Sequence, residues 1–336
     1  MPADTVSRTY GAAIRDGFAY LLERYPEVFV IGQGLWSPWY VGDSMTGLEV
    51  AFGRERVIDS SVSEQACTGV AVGAAIAGRR PVVVHPRMDF LLLAVDQIVT
   101  QAAKWSSMFA CRVSAPVVIR GIINRGGSQG AQHSQALHAW FAHVPGLRVA
   151  MPASVADARD LLVSAVLCGD PVLYIDDRWL YDRTGSLPAA PDMHAVFRGP
   201  EVVRAGEDLT LVGAGHSAYL VELAAERLAE EGVSAEAIDL RVINPLEIGP
   251  VAESVARTGR LLVVDGGWTT CGLAGEVIAA VAERLEPDVF HAAPRRLTLQ
   301  DAPAPASAPL EELYYPTVER IVASARGVLR MEPRPA

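Results

Sequence analysis

A carboxylate and an imidazole stand out by where they fall. Glu64, in Val62-Ser63-Glu64-Gln65, follows the strand-like run Arg56-Val57-Ile58-Asp59 and precedes a run of small residues. His133, in Ala131-Gln132-His133-Ser134-Gln135, lies in a loop after Gly126-Gly127-Ser128. In an α/β fold both are places where a site forms. A carboxylate at a strand-to-helix junction either favours the helix N-terminus electrostatically or holds a proton shared with a ligand nitrogen. Spacing alone does not choose between these. An imidazole in a Gly-rich loop is either a surface residue or a proton donor and acceptor that titrates near neutrality. Flanking glycines let such a loop approach a ligand closely.

Other motifs are weaker. Gly213-Ala214-Gly215-His216-Ser217 follows a strand and opens a helix, with Asp239 as a matching acid. Ala218 stands where a dinucleotide fingerprint needs its third glycine, so a tight strand–helix turn is preferred over nicotinamide binding. There is no GxSxG elbow, Walker A loop, HExxH or EF-hand loop. Trp268, after Asp265-Gly266-Gly267, reads as a packed turn, and Lys104-Trp105 as the end of a helix.

The elements that position Glu64 and His133 alternate. Thr9 is placed to cap a helix through about Glu23, with Ile14, Phe18, Leu21 and Leu22 on one face. Strands are predicted at Val28–Ile31, Val82–Val84, Val117–Ile119, Leu147–Ala150 and Val172–Ile175. Helices are predicted over Cys67–Ala77, Phe90–Ala103 and, capped by Ser154, through Leu167. Gly69, Gly73 and Gly78 imply close packing of the first of these. Strands separated by helical stretches imply parallel βαβ units. The pattern breaks from Asp176 to about Asp208, around Pro188, Pro191 and Gly199, and then resumes. Strands at Leu209–Val212, Ala237–Leu240 and Leu261–Val264 alternate with helices at Ala218–Glu231 and Gly275–Leu285. The expectation is an α/β chain of two doubly wound domains, residues 1–185 and 208–336, joined by a linker at 186–207.

Composition bounds the partners. The chain has 336 residues, half of them apolar, with a formal net charge of −10. That charge argues against sequence-independent nucleic-acid binding and against an anionic membrane surface. Cys67, Cys111, Cys168 and Cys271 are widely spaced, without a CxxC pair, which suggests a reducing compartment and no zinc knuckle. No apolar run is long enough to span a bilayer and residues 1–10 carry no signal core. A cytoplasmic protein is expected.

From Tyr10 to about Leu329 the sequence resembles the β subunit of 2-oxo acid dehydrogenase E1 enzymes (pyruvate, branched-chain and acetoin dehydrogenases) in the transketolase superfamily. The matching pieces are Arg56–Asp59, Ser63-Glu64, Thr68–Ala75, Asp96-Gln97-Ile98, Ala103-Lys104 and Ala131–Gln135. Leu209–Val212, Arg241-Val242-Ile243-Asn244-Pro245 and Asp265–Trp268 continue the match. The resemblance implies a pyrimidine-binding domain followed by a transketolase C-terminal domain. It implies thiamin diphosphate held across a subunit interface, with an α partner supplying the diphosphate and Mg²⁺ site through a GDG…N motif. Neither Gly42-Asp43 nor Gly169-Asp170 is followed by Gly, so this chain has no GDG of its own. It should act only with that partner, in the family's usual α₂β₂ form.

Residue roles follow from the same resemblance. Glu64 would hydrogen-bond N1′ of the aminopyrimidine and favour the imino tautomer that takes the thiazolium C2 proton. Such a Glu needs partial burial; Gln would keep its shape and lose the proton relay. Phe90 would stack on the ring, Val62 would pack against it, and Leu93 stands at a cofactor-facing position where Gln is common. His133 would face the reacting carbon. A structural K⁺ would lie near Ala165–Pro171, on backbone carbonyls. Departures fall at Gly32–Tyr40 and at His85-Pro86-Arg87-Met88-Asp89-Phe90, where His85 and Arg87 could read an acidic or hydroxylated group or serve as supporting residues. These departures leave two acceptors open. One is the lipoyl arm of an E2 partner after decarboxylation of a 2-oxo acid. The other is a small molecule, in a split transketolase-like enzyme without E2. A non-catalytic scaffold that kept the fold is disfavoured by the presence of both Glu64 and His133.

Overall fold

The computed structural model describes residues 5–329, which form two units. Residues up to Arg125 and His133–Arg198 belong to the first; Gly126–Gln132 and the chain from Gly199 belong to the second.

In the first unit, parallel strands lie in the order Arg148–Ala150, Val172–Asp177, Val118–Ile123, Arg80–His85, Val28–Gly32, Val57–Asp59. Their central members are mostly apolar and buried because helices cover both faces of a parallel sheet, with charged exceptions such as Arg120 and Asp176. Val82, Val83, Val118 and Ile119 are all buried. The helix Tyr10–Arg24 begins as predicted, with Thr9 Oγ1 accepting the Ala12 N–H at 3.2 Å, and buries Ile14, Phe18, Leu21 and Leu22. The helix Val155–Leu167 is capped by Ser154, whose Oγ accepts the Asp157 N–H at 3.0 Å.

Three features depart from the predicted elements. The strand Thr5–Thr9 pairs antiparallel with Thr184–Pro188, so the stretch after Asp176 contains a strand as well as the 3₁₀ turns Arg178–Leu180 and Ala195–Phe197. Neither paired strand has the alternation that would reveal it. The stretch predicted as one helix over Phe90–Ala103 is a 3₁₀ turn, Met88–Ala94, then a π-helical segment, Asp96–Ala102, then an α-helix, Ala103–Met108. Apolar periodicity does not distinguish these windings over one or two turns. The small-residue helix begins at Glu64 itself and ends at Ile76.

A fully buried ion pair ties the sheet together. Arg120 donates to Asp176 through Nε at 2.9 Å and Nη2 at 2.8 Å. Arg120 Nη2 also reaches Ser44 Oγ at 2.9 Å and Tyr181 Oη at 2.8 Å, while Tyr181 donates to Asp176 at 2.6 Å.

The second unit has parallel strands Ala235–Asp239, Leu209–Gly213, Leu261–Trp268 and Arg295–Leu299, with Glu201–Arg204 antiparallel at the edge. The helices His216–Ala229 and Val318–Leu329 bury Val221, Leu228, Ile321 and Val328 against Leu209, Leu211 and Leu262. A Cβ on Gly213 would lie 2.6 Å from the Ala218 nitrogen, so the Gly213–Ser217 turn is as tight as the packing reading expects. No helix among the described residues is long and apolar enough to cross a membrane.

Removing one partner of a buried pair leaves an uncompensated charge. Asp176→Ala should therefore lower unfolding free energy by about 3–5 kcal/mol, measured by denaturant titration. A loss below about 1 kcal/mol, the range of exposed pairs, would show that water already reaches Arg120.

Candidate active site

The candidate residues gather at the carboxyl ends of neighbouring parallel strands, where open α/β sheets bind ligands. Gly32 pairs in register with Val84 and with Asp59, so Gln33 is the first residue beyond its strand, while His85, paired with Gly121, is the last residue of the neighbouring one. A Cβ on Gly32 would sit 2.4 Å from the Val84 carbonyl oxygen; glycine is what lets these strand ends close.

Glu64 occupies the first turn of the helix Glu64–Ile76 and is only 7% exposed. The Ser63 side chain makes no capping bond. The helix N-terminus therefore presents its first N–H groups beside the Glu64 side chain. Gln33 Nε2 donates to Glu64 Oε1 at 2.9 Å. The other carboxylate oxygen has no hydrogen-bond partner among the described residues. One oxygen is committed and one is left to share a proton with a ring nitrogen, so these residues fit the aminopyrimidine of thiamin diphosphate.

Thr68, one helical turn on, shares a hydrogen bond of 3.1 Å with His85 Nε2. His85 is buried, and desolvation pushes its imidazole down to about 4, a shift that the nearby Glu64 opposes. Near neutral pH His85 is therefore uncharged and carries no cation for reading an acidic group. Arg87 is half-buried on the same connection.

Phe90 and His133 form a second cluster. Their rings meet edge to face, with centroids 5.4 Å apart and planes at 86°, a favoured aromatic geometry. Asp89 accepts two hydrogen bonds from Gln135. Val62 is 77% and Leu93 60% exposed, so in this chain taken alone neither is packed away. Gly121 lies under the 3₁₀ turn, where a Cβ would approach the Leu91 side chain to 2.8 Å.

The segment near Ala165 is occupied differently from the expected K⁺ site. Arg80 Nη1 donates to the Val166 carbonyl at 2.6 Å and to the Cys168 carbonyl at 3.1 Å, and the Cys168 thiol donates to the Ala165 carbonyl at 3.1 Å. A guanidinium already sits on these carbonyls, so the residues do not fit a K⁺ ion there. No cluster of His, Cys, Asp or Glu among the described residues could hold a metal ion.

Sequence reasoning passed over Gln33, Thr68, Asp89 and Gln135. Gln33 and Asp89 lie inside the two segments that depart from the family pattern, and that departure was their signal. Thr68 is four residues after Glu64 and so on the same helical face.

Two family models cover nearly the whole described chain: the transketolase pyrimidine-binding domain over residues 7–182 and the transketolase C-terminal domain over residues 200–321. The chain belongs to the transketolase family. Within the family it is 35% identical to the pyruvate dehydrogenase E1 β subunit of Rhizobium meliloti, covering 98% of this chain and 72% of that one. It is 39% identical to the mitochondrial pyruvate dehydrogenase E1 subunit β-1 of Arabidopsis thaliana, over 91% of this chain and 85% of that one. It is 38% identical to the acetoin:2,6-dichlorophenolindophenol oxidoreductase β subunit of Cupriavidus necator, over 82% and 81%. A solved split-gene transketolase, described as an inactive β4 tetramer, shares the family fold with a TM-score of 0.73. It is 21% identical, and 96% of this chain aligns with 97% of that one.

Burial of His85 has a pH consequence. Its folded value is depressed to about 4 from an ordinary 6.5, so the unfolded chain binds the proton more tightly. The stability this contributes is complete above about pH 6.5 and is lost as pH falls towards about 4, on the order of 3 kcal/mol in all. Unfolding free energies measured from pH 7 to pH 4 should fall less steeply for His85→Gln than for the wild type. Equal slopes would mean that His85 is solvated.

Proposed function

We propose that this chain is the β component of a two-chain thiamin-diphosphate enzyme. In this reading it decarboxylates a 2-oxo acid and passes the acyl unit to the lipoyl arm of an E2 partner. The carrying observation is the buried Glu64 carboxylate, bonded at one oxygen by Gln33 and unpartnered at the other. When bound, thiamin diphosphate supplies the electron sink that makes loss of CO₂ from a 2-oxo acid accessible.

The chain's own residues supply proton control and orientation. Glu64 would share a proton with the pyrimidine N1′, and Gln33 fixes one carboxylate oxygen so that the other would be free to do so. His85, neutral and bonded to Thr68, packs beside Glu64 without competing as a cation. Phe90 would stack on the pyrimidine, and its edge-to-face contact with His133 would help hold the imidazole for the reacting carbon. Val62 and Leu93, exposed in the isolated chain, are covered when cofactor and partner arrive. The diphosphate and Mg²⁺ sites belong to an α subunit carrying the GDG…N motif, in an α₂β₂ assembly. The names of the relatives in Rhizobium meliloti, Arabidopsis thaliana and Cupriavidus necator support the subunit reading.

A second reading rests on the Gln33–Tyr40 segment, which places an amide on Glu64 and leaves Trp39 exposed. In that reading the chain is half of a split transketolase-like enzyme that passes a ketol unit to a small acceptor, without E2.

The test is turnover of this chain mixed with an α subunit bearing GDG…N, thiamin diphosphate and Mg²⁺. The panel comprises pyruvate, branched-chain 2-oxo acids, acetoin and ketose phosphates. Activity should require both chains. Glu64→Gln should lower it by at least about 100-fold, the scale of one positioned proton-transfer group. Turnover of ketose phosphates alone would favour the second reading. Failure of the wild-type pair to bind the cofactor would end both.

A further inference from the structure

Asp89 stands immediately before Phe90 on the 3₁₀ turn Met88–Ala94, and Gln135 lies two residues after His133. Asp89 Oδ1 accepts the Gln135 backbone N–H at 3.0 Å and the Gln135 Nε2 amide at 3.0 Å. Beside this, the Phe90 ring meets the His133 ring edge to face. Ser134, between the two contacts, is buried. Two adjacent residues of one segment therefore grip two nearby residues of the other. Asp89 is 3% exposed, and its second oxygen has no partner among the described residues. Holding a carboxyl in so dry a place is costly unless its bonds matter. Burial raises its titration above the usual carboxylate range, while the Gln135 hydrogen bonds and the His133 imidazole oppose that rise.

We propose that Asp89 is the positioning residue of His133: by accepting both N–H groups of Gln135, it docks the loop so that the imidazole stands against Phe90. Its consequence for catalysis rests on the function proposed above; the docking itself does not. The hydrogen bonds need an oxygen acceptor rather than a charge, so Asn at position 89 can preserve them through its own side-chain oxygen, whereas Ala cannot.

The first test uses the full chain alone. In Asp89→Ala, hydrogen exchange at the Gln135 amide should accelerate by about tenfold or more, while amides of the strand Val118–Ile123 keep their wild-type rates. Asp89→Asn should stay within about threefold of wild type. The His133 ring protons should lose the shift caused by the Phe90 ring in Asp89→Ala, moving to the position seen in Phe90→Leu, and keep it in Asp89→Asn. Unchanged Gln135 exchange and His133 resonances in Asp89→Ala would overturn the proposal. So would an Asp89→Asn variant that behaves like Asp89→Ala, because charge rather than acceptor geometry would then be at work. If Asp89→Ala does not fold, Gln135→Ala and Asp89→Asn carry the same comparison, with Gln135→Ala expected to loosen His133.

The second test uses the pair with the α subunit, reading two steps separately. Exchange of the cofactor's C2 proton, which depends on Glu64, should stay within about twofold in Asp89→Ala. Dye-linked turnover of pyruvate should fall by about tenfold or more, the scale of a mispositioned acid–base group, and be restored in Asp89→Asn. A parallel fall in both steps would place Asp89 on the cofactor instead and overturn its role towards His133. If the wild-type pair performs neither step, the proposed function fails, and the measurements on the isolated chain still decide the docking.

Discussion

Residues 85–90 form one short connection that has to satisfy two clusters at once. Its first residue, His85, leaves the sheet beside Glu64 and is held by Thr68. Its last two, Asp89 and Phe90, meet Gln135 and His133. A chain this short has little slack, so one stretch of backbone carries both the contact beside Glu64 and the contacts to the His133 loop. Close packing beneath the connection removes what slack is left: Gly121 admits Leu91 at a distance where any larger residue would push it away.

The dryness of this region explains its polar chemistry. Glu64, His85 and Asp89 are all buried, and each has answered burial differently. His85 gives up its charge and keeps one hydrogen bond. Asp89 spends one oxygen on two donors. Glu64 has a helix N-terminus, one amide bond and an oxygen with no protein partner. That oxygen is the part of the carboxylate still open to solvent, where a ligand can reach it.

The layout of the fold was legible because parallel sheets write themselves as buried apolar runs, and Val82–Val84 and Val117–Ile119 are such runs. Thr9 and Ser154 announced their helices through capping chemistry. What escaped was set by tertiary contact: the edge pair Thr5–Thr9 with Thr184–Pro188 lacks periodicity, and the mixed winding of residues 88–108 follows from packing. For the site, residue types at strand ends singled out Glu64 and His133, and family resemblance added Phe90. Their supports, Gln33, Thr68, Asp89 and Gln135, act through distances that no linear spacing encodes. The K⁺ expectation failed for a like reason: Arg80 reaches carbonyls that lie 86 and 88 residues away along the chain.

Such separations also bear on how the chain is made. The partners of Arg120 lie 56, 61 and 76 positions from it, with Ser44 behind and Asp176 and Tyr181 ahead. During synthesis the guanidinium emerges long before its carboxylate does. The central strand Val118–Ile123 therefore cannot be sealed into a dry core until the ribosome has passed Tyr181, because an unpaired charge there would be too costly. Until then the nascent first domain has to remain open to water at its centre, and chaperone or premature-contact risks concentrate in that interval.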